Sequence, residues 1–442
     1  MAKVTVARRT ACELLGEVRR RDARARDVMR SSERMARLGE RDRAFATRLV
    51  LGVIGTRGLL DERLEAHMRG KCEPKVRDAL RLSAFELLFL GTPEAAAVSQ
   101  GVELVRGIRP RAAGLANAVL RKVASEDVPT RAAAVDVVAS GAASVGLSDL
   151  EWVSGYPAWL LERVGAIRED VARSALEPAP VYVATNRACH DDDETFRLLA
   201  EKRLEPHFCD LAGSFELGRP AGLAGSGLVE HADVVVADLS AQRIASMVGV
   251  RPGERVLEVG QGRGTKTLLI ESCALRAGGT APLVGIDSVD FKSRVASRRM
   301  EMAGLGDVVS CLCYDATRLD ADDLPLELGT EFDVVFVDAP CSGTGTLRRH
   351  PEIARTLTCA DVESLCALQL RMLGAASTRV APGGRLWYAT CSLLGEENEG
   401  VVEAFLGTSQ GDRFVLTGDL LRSHPTLGGP DGHYAACLRR VC

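Results

Sequence analysis

Two cysteines follow short apolar runs near the end of the chain, where a nucleophile could be presented. The first run, Phe332-Asp-Val-Val-Phe-Val337, has the composition of a buried parallel strand; it ends at Asp338, and Cys341 lies in the loop that follows. The second run, Arg385-Leu-Trp-Tyr-Ala-Thr390, ends at Cys391. Chemistry in an open α/β sheet takes place at the carboxyl ends of the strands. Asp338 and both cysteines are therefore candidate catalytic residues, although a cysteine taken singly is more often a small buried hydrophobe.

A glycine-rich loop follows an earlier predicted strand, Arg255-Val-Leu-Glu-Val259. It reads Gly260-Gln-Gly-Arg-Gly-Thr-Lys-Thr267, and glycines at alternate positions permit a tight turn and the close approach of a ligand to the backbone. Thr265 occupies the place of the third glycine in a dinucleotide-binding fingerprint, so a dehydrogenase is a weaker alternative.

Three acidic residues lie at the ends of successive predicted strands. Glu258 precedes the glycine-rich loop, Asp287 ends the run that begins at residue 283, and Asp315 follows residues 308–314. An acid at such a position can hydrogen-bond ribose hydroxyls, and Asp315 is suited to the amino group of an adenine. A single aspartate there commonly does no more than open a turn, but three of them in register after a glycine loop predict an adenosyl ligand.

The composition is that of a globular protein with several domains. At ~150 residues per domain, 442 residues suggest roughly three domains. Hydrophobic residues make up 46% of the chain, yet no run approaches the ~18 apolar residues of a membrane span. The 13 cysteines include no Cys-x-x-Cys pair, and Cys311 and Cys313 are too close together for a zinc site. We therefore expect a reduced, cytoplasmic protein without a metal ion or a membrane partner.

Charge is distributed unevenly along the chain, although the net charge is only −4. Residues 1–130 carry 26 Lys and Arg against 17 Asp and Glu, whereas the remainder carries 30 against 43. A basic N-terminal part joined to an acidic remainder favours a polyanionic partner. A solvated helix face rich in arginine would account for the same count.

Periodicity divides the chain into four segments. Residues 1–125 are predicted to be helical throughout, and residues 126–176 to be a helical connector. Residues 177–235 are predicted to form a small α+β domain, in which Asn186 and Arg187 are either nucleotide contacts or structural. From 236 to 442 strands and helices alternate, which is the pattern of an α/β domain.

Several motifs resemble known families. The N-terminal stretches at 42–50, 80–90, 97–104 and Gly114-Leu-Ala-Asn-Ala-Val-Leu-Arg-Lys122 resemble the NusB-like RNA-binding fold. Nearly the whole chain resembles the Sun/RsmB-type RNA (cytosine-C5) methyltransferases. The motifs that carry this second resemblance are Asp338-Ala-Pro-Cys-Ser-Gly-Thr-Gly345, Arg349-His-Pro-Glu352, Tyr388-Ala-Thr-Cys-Ser392, Glu396-Glu-Asn-Glu399 and Gly429-Pro-Asp-Gly-His-Tyr-Ala-Ala436. In the last of these the family usually has two aromatics after Asp-Gly.

This resemblance implies transfer of a methyl group from S-adenosylmethionine to cytosine C5 in 16S ribosomal RNA of the small subunit. It assigns the nucleophile that adds to cytosine C6 to Cys391, product release to Cys341, and stabilisation of the adduct through the N3 edge to Asp338. The fold it implies has an all-α NusB-like RNA-binding bundle at 1–125, a small α+β RNA-contact domain at 177–235 and a Rossmann-like S-adenosylmethionine-dependent methyltransferase domain at 236–442. We expect a monomer.

The cofactor loop departs from the family pattern Cys-Ala-Ala-Pro-Gly-Gly-Lys-Thr. Only Gly264, Lys266 and Thr267 agree with it, and Glu258 stands where aspartate is usual. We interpret the loop as another way to hold the methionine end of the cofactor; Lys266 is also a candidate for stabilising the thiolate of Cys391. The candidate cofactor-binding residues are Glu258, Gly260, Gln261, Gly262, Arg263, Gly264, Thr265, Lys266, Asp287, Asp315 and Asp338.

Two other functions are compatible with the same motifs. One is a ribosome-assembly factor that binds ribosomal RNA and has an impaired cofactor site. The other is a methyltransferase that acts on transfer RNA or protein, against which the helical N-terminal part argues.

Overall fold

The computed structural model describes residues 4–126, 136 and 145–441. The predicted connector therefore lies partly outside the described residues, at 127–135 and 137–144. The chain forms two compact units. One comprises the described residues up to Pro178 together with Leu347–Leu357; the other runs from Ala179 to Thr346 and resumes at Thr358.

The first unit is helical, as the amphipathic periodicity predicts. Glycines allow its helices to cross closely: a Cβ on Gly52 would lie 2.0 Å from the ring of Phe85, and one on Gly101 would lie 2.2 Å from Oγ of Ser83. Phe85 and Ser83 both belong to helix Pro74–Phe89, which is therefore the centre of the bundle. The helices of this unit are Val6–Arg21, Ala25–Arg30, Glu33–Ala36, Glu40–Gly55, Arg57–Ala66, Pro74–Phe89, Glu94–Ile108, Ala113–Ala124, Leu147–Ser154, Ala158–Arg163, Arg168–Ser174 and Ile353–Thr356.

One segment of this unit comes from much later in the chain. Leu347–Leu357 lies in sequence within the predicted 236–442 domain but packs in the helical unit. Nε of Arg26 donates to the carbonyl of Arg349 at 2.6 Å, and a Cβ on Gly55 would lie 3.2 Å from that of Pro351. The Arg-His-Pro-Glu motif is therefore anchored on the N-terminal helices.

The second unit contains two sheets. The smaller is antiparallel, with strand order β2-β3-β1-β4. Helix Asp192–Glu201 packs with this sheet and begins with a capping box, in which the side chain of Asp191 accepts from the backbone of Glu194 and that of Glu194 from the backbone of Asp191. The strands are β1 (Tyr182–Thr185), β2 (Pro206–Phe208), β3 (Ser214–Leu217) and β4 (Val234–Val236).

The larger sheet has seven strands in the order β10-β11-β9-β8-β5-β6-β7. The strands from β9 to β7 are parallel, whereas β11 pairs antiparallel with β9 and with β10. Its strands are β5 (Val256–Val259), β6 (Leu283–Asp287), β7 (Val309–Cys313), β8 (Phe332–Asp338), β9 (Val380–Thr390), β10 (Phe414–Arg422) and β11 (Tyr434–Arg440). The helices of this part are Leu239–Val248, Thr265–Arg276, Asp290–Met302, Cys359–Ser377 and Glu399–Leu406.

Both faces of this sheet are covered by apolar side chains. Alternate residues of a strand point to opposite faces, so Val334 and Phe336 of β8 join one core cluster while Val335 and Val337 join the other. This explains the unbroken apolar run that predicted a buried parallel strand.

The order of the strands reverses between β5 and β8. From β5 the chain proceeds outward through β6 to β7, and it then returns to place β8 on the other side of β5. Such a switch point leaves a crevice at the carboxyl ends of the two strands, where ligands of open α/β sheets bind. The glycine-rich loop and Asp338 both leave the sheet there.

Strand β9 is longer than its sequence suggests. The apolar run in the sequence begins at Arg385, but the strand begins at Val380 and includes Pro382 and the two glycines after it. The pairing with β8 shifts there, because Phe332 lies opposite Val380 while Val334 lies opposite Arg385. The extra residues form a bulge, where a proline and a glycine with φ +75° are tolerated.

No described helix combines the length and the apolar character needed to cross a membrane.

Candidate active site

Cys341 and Cys391 lie side by side at the carboxyl edge of the larger sheet. Strands β8 and β9 are parallel neighbours with Asp338 opposite Ala389, so the loops that follow them emerge together. The two sulfur atoms are 3.3 Å apart, and the backbone N–H of Cys391 donates to the sulfur of Cys341 at 3.3 Å. The structure thus brings into contact two residues that the sequence placed only at the ends of separate strands.

Lys266 and Asp338 form an ion pair beside the cysteines. Nζ of the lysine lies 2.6 Å from Oδ2 of the aspartate. Burial is the largest single influence and lowers the pKa of Lys266, but the charge and the hydrogen bond of Asp338, together with the charges of Cys391 and Glu258, hold this pKa above its ordinary value. The lysine is therefore a fixed positive charge at this edge of the sheet.

The two thiols differ in their affinity for a proton. The hydrogen bond from Cys341 lowers the pKa of Cys391 and outweighs burial, which raises it. The negative charge of Asp338 also raises this pKa, and the positive charge of Lys266 lowers it. The same hydrogen bond, burial and the carboxylate of Glu397 together hold the pKa of Cys341 well above its ordinary value. The arrangement favours a thiolate on Cys391 and a thiol on Cys341, and the thiolate is the nucleophilic form.

The glycine-rich loop needs its three alternate glycines. Gly260, Gly262 and Gly264 have φ angles of +80°, +63° and +74°, a left-handed region that strains residues with a Cβ. A Cβ on Gly260 would also lie 2.2 Å from the carbonyl oxygen of Asp338. The loop after β5 therefore runs directly against the end of β8, in the crevice at the switch point.

Asp287 ends β6 and holds the glycine-rich loop in place. Its Oδ2 accepts from the N–H of Gly262 at 3.1 Å and lies 3.2 Å from Nζ of Lys292, while its Oδ1 accepts from the N–H of Val289 at 2.9 Å. Oδ1 therefore has one further lone pair, which leaves room for the predicted bond to a ribose hydroxyl.

Asp315 lies two residues beyond β7, and its side chain is exposed. Its Oδ1 accepts from the N–H of Thr317 at 3.0 Å and so caps the short turn that follows. The predicted contact with an adenine stays a prediction.

A buried polar chain lies beneath the loop. Nε2 of Gln261 donates to the hydroxyl of Thr267 at 3.1 Å, and this hydroxyl donates to Glu258. Burial raises the pKa of Glu258 to about 8, so that its carboxyl group is protonated at neutral pH. Among the residues that the structure describes, Oε1 of Glu258 and Oε1 of Gln261 have no hydrogen-bond partner.

These features fit an adenosyl cofactor that carries an ammonium group and ribose hydroxyls. A buried acceptor without a partner is costly, and a ligand rich in donors would relieve that cost at Gln261 and, once Glu258 has released its proton, at Glu258. The glycines allow the cofactor to approach the backbone closely, and the acid that ends β6 can accept from its ribose hydroxyls.

The loop is also held from a neighbouring helix. Nη1 of Arg299 donates to the carbonyl of Arg263 at 2.8 Å and to the hydroxyl of Thr265 at 3.1 Å. The side chain of Arg263 is exposed, so within the loop this residue contributes its backbone. Nothing in the helical pattern around Arg299 indicated its contact with the loop.

Two further buried polar residues were not indicated by the sequence pattern. Glu397 lies within a motif that was recognised only as a whole, and it accepts hydrogen bonds from the residues that follow both cysteines. His433 is buried, and its Nδ1 has no partner among the described residues. Burial and then the charge of Lys266 lower its pKa. One feature of the sequence does single out His433, because it stands where the related family usually has an aromatic residue.

The fold and the site together define the class of protein. The glycine-rich loop lies at the switch point of the parallel strands, an acid ends the next strand, and buried acceptors without partners lie beneath the loop. These are the features of an S-adenosylmethionine-dependent methyltransferase. A solved structure described as a methyltransferase homolog protein from Pyrococcus horikoshii has the same fold, with a TM-score of 0.57 at 21% identity over 67% of this chain and 99% of that one.

Sequence comparison gives the family. Residues 245–420 match the family described as 16S rRNA methyltransferase RsmB/F, and residues 5–125 match the NusB family. The ribosomal RNA small subunit methyltransferase B of Thermus thermophilus is 33% identical over 95% of this chain and 94% of its own length. That of Xanthomonas campestris is 32% identical over 83% and 80%. The chain belongs to the RsmB/F family of 16S rRNA methyltransferases, and its cofactor is S-adenosylmethionine. The predicted family, fold class and cofactor are confirmed.

Proposed function

We propose that this enzyme methylates C5 of a cytosine in 16S ribosomal RNA through a covalent bond between Cys391 and C6 of the base. The observation that carries the proposal is the contact between the sulfur atoms of Cys341 and Cys391, with the positive charge of Lys266 acting on Cys391. The substrate is supported by relatives that are named as ribosomal RNA small subunit methyltransferases.

A covalent mechanism accounts for the presence of two cysteines in the site. Cytosine C5 is too weak a nucleophile to take a methyl group unaided, and addition of the Cys391 thiolate to C6 moves an electron pair toward C5. The bound cofactor supplies an electrophilic methyl group on its sulfonium. Transfer of the C5 proton to water then restores the ring as the bond between C6 and Cys391 breaks and the sulfur leaves with the bonding electron pair. Because Cys341 touches the departing sulfur and retains its proton, it is placed to assist this last step.

Asp338 is placed to stabilise the adduct. Its Oδ2 is held by Lys266, which fixes the orientation of the carboxylate and leaves further lone pairs to accept from the N3 edge of the cytosine once N3 takes up a proton in the adduct. The base must leave its stack to reach these groups, because stacking would hide C6.

We further propose that the helices within residues 1–125 and the small α+β domain, residues 177–235, bind the RNA. Much of the basic character of the helices is internal: Arg8 pairs with the buried Glu86, and Arg81 pairs with Asp61. The exposed basic groups in helix Ala113–Ala124 and just before it remain available to phosphates. In the small domain Asn186 is buried and donates to the carbonyl of Ala232 at 2.6 Å, which supports the structural reading of that residue.

A cytoplasmic monomer is the simplest form of this enzyme. The cysteine pair, the ion pair and the cofactor loop all belong to a single unit of one chain. The chemistry therefore needs no residue from a second copy.

The proposal is tested with purified protein, S-adenosylmethionine and 16S ribosomal RNA transcribed in vitro. We expect a methyl group at C5 of one cytosine, mapped by bisulfite sequencing, and no product with transfer RNA. Methylation of transfer RNA alone would favour the other substrate class. If isothermal titration detected no binding of S-adenosylmethionine while the RNA still bound, the ribosome-assembly factor would be the better description.

A further inference from the structure

Glu397 is a fully buried carboxylate that the proposed chemistry does not use. Its Oε1 accepts from the N–H of Ser342 at 2.8 Å and from Nε2 of Gln369 at 3.0 Å. Its Oε2 accepts from the hydroxyl of Ser342 and, at 2.5 Å, from that of Ser392. Both oxygens are therefore fully engaged by donors.

The serine donors come from both cysteine loops. Ser342 directly follows Cys341, and Ser392 directly follows Cys391. The two serine hydroxyls are themselves 3.2 Å apart. A buried carboxylate is stable only where hydrogen bonds replace its hydration, so Glu397 favours the arrangement in which both loops meet around it.

The main chain around Glu397 is fixed as well. The hydroxyl of Tyr388 donates to the carbonyl of Glu397 at 2.6 Å. The next residue, Asn398, accepts from the hydroxyl of Thr390 at 2.6 Å and donates to the carbonyl of Ser392 at 3.0 Å. The carboxylate is thus presented from a backbone that is anchored to the end of β9.

We propose that Glu397 is a positioning residue, which joins the two cysteine loops and holds the sulfur atoms of Cys341 and Cys391 in contact. The role of Glu397 in catalysis rests on the proposed function, whereas its effect on the two thiols can be measured without RNA or cofactor.

The charge of Glu397 also acts on the two thiols. The charged groups that act on the pair are Glu397, Lys266 and Asp338. The hydrogen bond with Cys391, burial and the negative charge of Glu397 raise the pKa of Cys341. At Cys391 the charges of Asp338 and Glu397 raise the pKa, and the charge of Lys266 lowers it. Removing the charge of Glu397 should therefore make Cys341 easier to ionise.

The experiment measures thiol alkylation by iodoacetamide across pH in the full-length protein, with each cysteine followed by peptide mass spectrometry. In Glu397→Gln we expect the pH of half-maximal alkylation of Cys341 to fall, because a neighbouring like charge that disfavours the thiolate is lost. Glu403→Gln, an exposed carboxylate in the following helix, should leave it unchanged. In methyl transfer, kcat of Glu397→Gln should fall about 10-fold or more because the sulfur atoms are misplaced, with little change in KM for the cofactor.

An alkylation profile for Cys341 in Glu397→Gln that matched wild type would overturn the proposal. If circular dichroism showed that Glu397→Gln does not fold, the double variant with Ser342→Ala and Ser392→Ala would test the proposal instead. It removes the hydroxyl donors and keeps the carboxylate. We expect this double variant to form the Cys341–Cys391 disulfide several-fold more slowly than wild type when diamide is added as the oxidant, which takes up the two electrons and two protons. Disulfide formation at the wild-type rate would overturn the proposal. A wild-type enzyme that alkylates as expected but fails to methylate 16S ribosomal RNA would contradict the proposed function alone.

Discussion

The side chain of Gln261 lies directly over Gly285 of β6, so closely that a Cβ on the glycine would be 2.2 Å from the side-chain amide. The related family has alanine at the position of Gln261, and a longer side chain there needs space in the sheet below. Gly285 provides that space. The unusual cofactor loop is thus matched by a feature of the neighbouring strand.

Gly285→Ala should therefore disturb the cofactor loop. The new methyl group would displace Gln261 and its bond to Thr267, and overpacking of this kind typically costs about 1–3 kcal/mol of unfolding free energy. We expect weaker binding of S-adenosylmethionine by isothermal titration and a lower urea midpoint. Adding Gln261→Ala should restore part of both losses, since the two sites would no longer clash. Gly374→Ala, where a Cβ would meet nothing within 4 Å, is the control and should not be destabilising.

Asp287→Ala should weaken cofactor binding without unfolding the protein. The substitution removes the acceptor for the N–H groups of Gly262 and Val289 as well as the proposed bond to ribose, and each lost bond typically costs ~0.5–1.5 kcal/mol. The dissociation constant should rise at least several-fold in isothermal titration. Asp290→Ala, three residues on and exposed, serves as the control. Equal affinities in the two variants would remove Asp287 from the cofactor site.

Glu258 should make the stability of the cofactor-free protein depend on pH. Its pKa rises from an ordinary value of 4.5 to about 8 in the folded state, so between these values the folded state holds a proton that the unfolded state has released. The free energy of unfolding should then fall as pH rises from 4.5 to 8, by at most ~1.4 kcal/mol per pH unit.

Urea unfolding at several pH values tests this dependence. Glu258→Gln mimics the protonated carboxyl group and should flatten the decline, whereas Glu403→Gln should not. Part of the slope should persist in Glu258→Gln because burial raises the pKa of Glu271 to about 7, which acts in the same direction. Identical slopes in wild type and Glu258→Gln would show that Glu258 is ionised in the folded protein.

The sequence predicts those parts of the fold that depend on local pattern. Strand β6 has the predicted bounds, Leu283–Asp287, because its apolar run is ended by an acid. The contact between Cys341 and Cys391 follows a prediction of strand ends, since the ends of parallel strands meet at one edge. The placement of β11 between β9 and β10 depends on pairing between distant residues, which no local pattern encodes.

The supporting residues of the site were not predictable for a related reason. Glu397 is one of several acids in a short polar stretch, and only the folded chain shows which of them turns inward. Likewise, nothing in the pattern of Leu347–Leu357 shows that it leaves the sheet to pack in the helical unit.

Phosphate contacts by the helical unit are best tested by point substitutions. Deleting residues 1–125 would also uncover Leu347–Leu357, which follows the Cys341 loop and packs on those helices. The variant with Arg111, Arg121 and Lys122 changed to alanine removes exposed charges only. Its affinity for 16S ribosomal RNA should fall, and the slope of log K against log salt should become shallower by up to ~0.9 per lost phosphate contact. Arg294→Ala, an exposed arginine in the second unit, should keep the wild-type slope. A triple variant with that same slope would place the RNA elsewhere.

A trapping experiment should distinguish the roles of the two cysteines. Cys391→Ser should abolish methylation and form no covalent complex, because a hydroxyl is far less acidic than a thiol. Cys341→Ser should still allow attack and methyl transfer, since serine retains a donor toward the sulfur 3.3 Å away. It should then stall with the RNA attached to Cys391, visible as a slow band on a denaturing gel.

Two further variants sharpen this test. Cys341→Ala removes the donor as well, so the band should appear more slowly than in Cys341→Ser. Cys359→Ser, an exposed cysteine of a neighbouring helix, should behave as wild type. A trapped band in Cys391→Ser with none in Cys341→Ser would reverse the two roles. Since the hydrogen bond between the two thiols lowers the pKa of Cys391 and raises that of Cys341, that reversal would also show that these pKa shifts do not determine which sulfur attacks.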